Sequence, residues 1–495
     1  MNARRAAMIL ALALLPATAA AQGYQLRLDG GIQAVSFRGY SADSIPVDSV
    51  IRGPNGGLET PTGYAVSCTS NAPYCNFWIP GPIRVANPIV GQAAFTMWGL
   101  GLPGLRLQFN GYATTDVSNA GSWPGTSPNL QLIEGYAEYA APKWTVVAGR
   151  KVISGRLGTY GFDGGQLTGR LASAGLSLSG YAGWGLAQGS NLPVNTDQLY
   201  PQEDYHPDQT PVVAGIIGSW VSRHAEITGE YRREVDQTTK YFASERVAGS
   251  ATIRPYGAFS LVGGAIYDMA SGLWGSADAS IRYTVPKVGV VAGYTRYAPF
   301  FELWTIWGAF SPVPYNAVYG SVSVQATSRL QLRARGESYK FESADAETPL
   351  VFSEDGGWQA SGGATYRFND GWSAQAGYHN EFGPGAASSG WDANVTFAPS
   401  PRLSLMGYGN SLQRPLEYRW DDSKVLVYGM QANVVARDNV SVAFMVARYD
   451  ENRQRPDAAS FEWDQLRFGA KVIMTFSSAD HLPLPRAITN RPAGY

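Results

Sequence analysis

RFGAKVIMTF, residues 467–476, alternates in steps of two. Phe468, Ala470, Val472, Met474 and Phe476 share one face; Arg467, Gly469, Lys471, Ile473 and Thr475 share the other. Period two over a run of this length predicts a β-strand with one side in apolar surroundings. A proline-bearing stretch without that period follows it as far as Tyr495. The strand is therefore either one more in a soluble sheet or the one that closes a larger object.

The same pattern recurs from Tyr24 onward: alternating runs joined by tight Gly, Pro, Asn, Asp or Ser turns, then by looser connections. In LQLRARGESYKF, Leu330, Leu332, Ala334 and Gly336 oppose Gln331, Arg333, Arg335 and Glu337. In LWGSADASIRYTV, Ala277, Ala279, Ile281 and Tyr283 oppose Ser276, Asp278, Ser280 and Arg282. Joints of two to four residues are read at Pro103-Gly104, Pro142-Lys143, Ser173, Arg223-His224, Tyr256, Lys287, Ser328, Asp370, Ser400 and Asp438. Between these short turns lie longer connections, giving about 22 strands, with about 18 to 24 as bounds. Short turns on one side and long loops on the other separate a membrane barrel from a sandwich or a propeller. Tyr283, Tyr366, Phe368 and Phe397 fall on apolar faces beside short turns, where an interfacial aromatic girdle would sit.

Composition narrows the class further. The chain has 57 Gly, 28 Tyr and 14 Trp but only 16% charged residues, and its formal net charge is −1. It thus carries no basic field to hold nucleic acid. No apolar run after the first residues is long enough for a spanning helix. Those first residues, Arg4 and Arg5, then MILALALLP, then ATAAAQG, read as a secretory signal peptide over 1–21, cleaved after Ala21. Cys68 and Cys75, the only cysteines, predict one small-loop disulfide in an oxidising compartment. A metal site would need further ligands, and His206, His224, His379 and His481 are scattered. No CxxCH is present, so the chain carries no c-type haem of its own; no cofactor or metal is expected.

On these residues the chain resembles a bacterial outer-membrane β-barrel of the porin type. The fold this implies is all-β, a transmembrane antiparallel up-and-down barrel over 22–476 without an N-terminal plug domain, followed by a periplasmic tail at 477–495. Arg467, Gly469, Val472 and Met474 are spaced like the barrel-assembly signal of that class, with Phe476 continuing the face. Partners implied are outer-membrane lipid and the assembly machinery.

The first long connection, 38–92, is rich in Gly and Pro and holds both cysteines; it is either folded into the pore or an extracellular flap braced by the disulfide. Presumed lumen-lining charges are Glu134, Glu138, Glu226, Glu230, Arg232, Arg282, Arg333, Arg335, Glu337 and Arg367. Both signs occur in similar number, so no strong ion preference follows. No enzyme motif accompanies them: GYHNEF, with His379, Asn380 and Glu381, lacks a nucleophile elbow. The expected function is a channel for small hydrophilic solutes. The alternatives are a barrel sheath around a multihaem cytochrome, as in porin–cytochrome conduits, and an export or structural barrel.

Overall fold

The structure is a computed structural model and describes residues 23–53, 56–69, 72–118, 129–186, 211–235, 242–298, 314–342, 355–383, 386–414, 422–454 and 463–478. The stretch read as a signal peptide, 1–21, and the segment beyond 478 lie outside them.

The barrel opens with β1 (Gly23–Pro46), β2 (Tyr74–Ala86, continued across Asn87 by Pro88–Trp98), β3 (Leu105–Asp116) and β4 (Asn129–Ala140). Next come β5 (Trp144–Gly155), β6 (Gly158–Leu171), β7 (Leu176–Gly185), β8 (Val212–Val221) and β9 (Ala225–Val235). They are followed by β10 (Phe242–Tyr256), β11 (Phe259–Asp268), β12 (Leu273–Val285), β13 (Val288–Tyr297) and β14 (Tyr315–Gln325). Then follow β15 (Leu330–Phe341), β16 (Gly356–Asn369), β17 (Trp372–Gly383) and β18 (Ala386–Ser400). The last four are β19 (Leu403–Arg414), β20 (Asp422–Arg437), β21 (Val440–Gln454) and β22 (Trp463–Ser477).

Each strand pairs antiparallel with the next, and β22 pairs back onto β1 from Gln25↔Ser477 to Val35↔Arg467. The stretch at 467–476 therefore closes the sheet. The seam continues past the last strand, where the Ser478 N–H donates to the Tyr24 carbonyl at 3.1 Å. The sheet is a closed, even-numbered barrel of 22 staves. At about 4.8 Å between strands and a tilt of about 40°, that number gives about 45 Å between opposite backbones.

Ten joints at the end that holds Gly23 and Ser477 are short, as the turn residues predict. The first, 99–104, is longer than its two-residue reading, because Gly99, Gly101 and Gly104 all take positive φ and carry the chain through a wider bend.

The outward face is apolar and uncovered. Leu178, Ile281, Val318, Met430 and Phe468 are each more than half exposed. Apolar exposure on this scale fits lipid rather than water. Aromatic rings bound it at both ends. On β16, Trp358 near the loop end and Tyr366 near the turn end both face outward. They lie eight residues apart, about 26 Å along the strand and about 20 Å along the barrel axis. Phe259 with Tyr283, Tyr366 with Phe368 and Trp372 with Phe397 make ring pairs at the short-turn end. The aromatic residues read as a girdle thus lie on the outer wall.

The 38–92 segment is more regular than its composition suggested. β1 continues to Pro46 and pairs with Tyr74–Ala86 from Val35↔Ala86 to Pro46↔Tyr74, with a register shift between Arg38 and Tyr40. The connection proper is only 47–73. Prolines at 80, 82 and 88 hide the alternation in the sequence. They are tolerated because β2 meets β3 only from Pro88 onward, which leaves that edge free of a ladder over Pro80 and Pro82. Cys68 and Cys75 are disulfide-bonded, with Cα atoms 4.3 Å apart, where Val66–Cys68 pairs with β2.

Candidate pore constriction

One element turns into the lumen, the ribbon made by the upper halves of β5 and β6. β4 pairs with β5 only from Ala140↔Thr145 to Gly135↔Arg150. β7 pairs with β6 only from Leu171↔Leu176 to Phe162↔Gly185. Above those points the two strands ladder with each other, from Lys151↔Phe162 to Gly155↔Gly158, Phe162 being the last residue to pair with β7. The departure is built at Gly149, whose φ of 127° is open to glycine and costly for other residues. A Cβ there would meet the Gly135 carbonyl oxygen. Glu134 of β4, an inward residue, takes the freed Val152 N–H at 3.3 Å.

The ribbon then lies over the inner faces of β7 to β9. Ile153, Tyr160 and Phe162 pack on Tyr181, Val213 and Ile217; Phe162 and Val213 are fully buried. The Phe162 and Tyr181 rings are 5.3 Å apart. Each such burial stabilises by about 1.5–3 kcal/mol. Arg232 of β9 sits 4.7 Å over the Tyr160 ring and ion-pairs with Glu234 at 2.9 Å.

The ribbon's tip is held by charge. Glu230 of β9 accepts the backbone N–H groups of Arg156 at 2.8 Å and Leu157 at 3.2 Å. The Arg156 guanidinium donates to the Gly264 carbonyl of β11 and pairs with Asp278 of β12. Gly155 lets the carboxylate approach, since a Cβ there would collide with both Glu230 oxygens. Glu230 lies midway along β9 and Asp278 near the middle of β12. The tip is therefore fixed at about half the barrel's height, on three strands of the far side of β7 and β8.

The pairing registers put every lumen residue named from the sequence on the inner face. Glu226, Glu230 and Arg232 alternate with outward Ile227, Gly229 and Tyr231 on β9. Glu138 pairs with Arg106 at 3.0 Å, and Glu337 with Arg335 at 2.7 Å. Arg282, Arg333 and Arg367 face inward on β12, β15 and β16 and have no ion-pair partner among the described residues. On β22, Arg467 and Gly469 point inward, while Val472, Met474 and Phe476 point outward with exposed Phe468. His379 and Glu381 are inward on β17; Glu381 accepts from Gln359 at 2.8 Å. No cluster of three metal-ligating side chains occurs among the described residues.

Alternation marks Glu134 and Glu230 as inward but carries no sign of the ribbon they hold, and it predicts a longer connection after Gly155. That joint is only 156–157. A signal was present in VVAGIIGSWV: Val213 and Ile217 add apolar inner positions to an already apolar outer face, so something had to cover the inner wall of β8.

No protein-family model and no curated protein matches the chain. Solved structures similar in outline include OccK11 (OpdR) of Pseudomonas aeruginosa, at 13% identity and a TM-score of 0.35 over 91% of this chain and 96% of that one. A BenF-like porin from Pseudomonas fluorescens Pf-5 aligns at 10% identity and 0.38, over 92% and 98%. The FrpB iron transporter from Neisseria meningitidis aligns at 11% and 0.42, over 92% and 82%. Likeness at this level says nothing of what enters the barrel. Closed, even-stranded, antiparallel and apolar outside, the chain has the architecture of an outer-membrane β-barrel.

Proposed function

We propose that the chain is an outer-membrane channel for small hydrophilic solutes whose cross-section is set by the ribbon 151–162. The observation that carries this reading is the seating of the ribbon tip on Glu230 and Asp278. A two-stranded layer with its side chains is about 10 Å thick, a large share of the lumen radius. The ribbon occupies space that a lumen-filling protein such as a multihaem cytochrome would need, which favours the channel over the sheath. The same reading has the chain delivered by its leader and inserted by the barrel-assembly machinery, with β22 as the strand that machinery engages. Purified barrel in planar bilayers tests it. Replacing 151–162 by a two-residue turn should raise single-channel conductance several-fold, and unchanged conductance would sink the assignment of the constriction.

A further inference from the structure

Away from the ribbon, the inner wall of β13 to β17 carries a set of aromatic rings that the membrane does not require. Tyr297, Tyr315 and Phe341 share one inward rung, Ala317 and Tyr339 the next, and Tyr319 and Glu337 the one below. Tyr297 stacks on Tyr315 at 5.1 Å, and Tyr339 stands 5.7 Å from both Tyr315 and Phe341. The wall is cut back to seat them. A Cβ on Gly293 would meet the Tyr319 ring at 2.6 Å, and one on Gly357 would meet the Tyr339 hydroxyl at 2.5 Å. An outer girdle anchors a barrel in lipid, but these rings face the lumen.

Beside the rings runs a row of planar polar groups. Glu337, Gln359 and Glu381 occupy one inward rung across β15, β16 and β17. Arg335 pairs with Glu337 at 2.7 Å and lies 4.7 Å over the Tyr319 ring; Gln359 donates to Glu381 at 2.8 Å. Arg335 neutralises Glu337, while Glu381 keeps its charge and accepts from the Gln359 amide, so the row offers both donors and acceptors. Ring faces flanked by planar, bidentate hydrogen-bonding groups suit a ligand with apolar faces and a rim of hydroxyls.

We infer that the inner wall from Tyr297 to Glu381 is a binding track for neutral saccharides, pyranose rings stacking on Tyr297 and Tyr315 while their hydroxyls meet Glu337, Gln359 and Glu381. This rests on the channel reading and names its solute class. The experiment uses linear glucose oligomers on the full-length barrel in planar bilayers, with fluorescence titration of the same protein in detergent. Oligomers should block the ion current saturably, and the block should weaken about fivefold in Tyr297→Ala and in Tyr315→Ala. Tyr297→Phe and Tyr315→Phe, which keep the rings, should retain most of it. If Tyr315→Ala fails to fold, Tyr297→Ala, at the exposed end of its strand, carries the test. Current that ignores the oligomers, or a block as strong in both alanine variants as in the unsubstituted barrel, overturns the track, as does block by small organic cations in their place. A barrel that conducts nothing yet binds oligomers in detergent overturns the channel reading and keeps the site.

Discussion

Glu234 shows what the inner wall asks of single residues. It is fully buried, and Arg232 beside it is 4% exposed. A carboxylate withdrawn from water needs a cation or several donors at short range, and Arg232 supplies the charge at 2.9 Å. Arg232→Ala should therefore destabilise the barrel by about 3–5 kcal/mol, because it strands a buried charge. Replacing both members at once, Arg232→Met with Glu234→Leu, should cost much less, since no charge is left to strand. Urea unfolding of the barrel in lipid vesicles reads both. Equal losses in the two variants would show that the pair does not act as a buried unit. The inward direction of Arg232 was legible from period two alone. Its burial was not, because burial depends on the ribbon that crosses it, and strand alternation carries no information about a layer arriving from three strands away.

Among the elements, the ribbon 151–162 and the wall beneath it constrain the lumen most. Strands β7 and β8 put Tyr181, Val213 and Ile217 on a face that in an open channel would meet water. Val213→Asn would be nearly neutral on a wetted wall, but under the ribbon it buries an amide without partners, at about 1–3 kcal/mol. It should also loosen the ribbon and add flicker to the single-channel current. A silent Val213→Asn would mean that the ribbon does not rest there. The short turns, the strand count and the outer aromatic rings were all legible in the sequence, since each follows from local chemistry repeated along the chain. The ribbon and the extension of β1 to Pro46 were not. One is a long-range packing choice, and the other is masked by Pro80, Pro82 and Pro88 on an edge without a continuous ladder.

For the whole molecule, everything depends on β22 meeting β1. A barrel one strand short exposes two edges to hydrocarbon, where every unsatisfied backbone N–H or C=O costs several kcal/mol. The pairs from Gln25↔Ser477 to Val35↔Arg467 remove one such edge, and the pairs from Val440↔Met474 to Glu451↔Trp463 remove the other. Truncation before Trp463 should abolish insertion, whereas removal of 479–495 alone should leave a folded barrel. Within the strand, the two faces should answer oppositely to charge. Phe468 is 51% exposed on the outer wall, so Phe468→Arg should cost about 2–4 kcal/mol if it sits near the bilayer midplane. Lys471 lies on the inner face, opposite Gly31, and Lys471→Glu should leave stability nearly unchanged while shifting the reversal potential toward cations. Vesicle unfolding and reversal potentials in a salt gradient separate the two effects. If Lys471→Glu destabilised the barrel as much as Phe468→Arg, the assignment of faces along 467–476, and with it the closure, would be wrong.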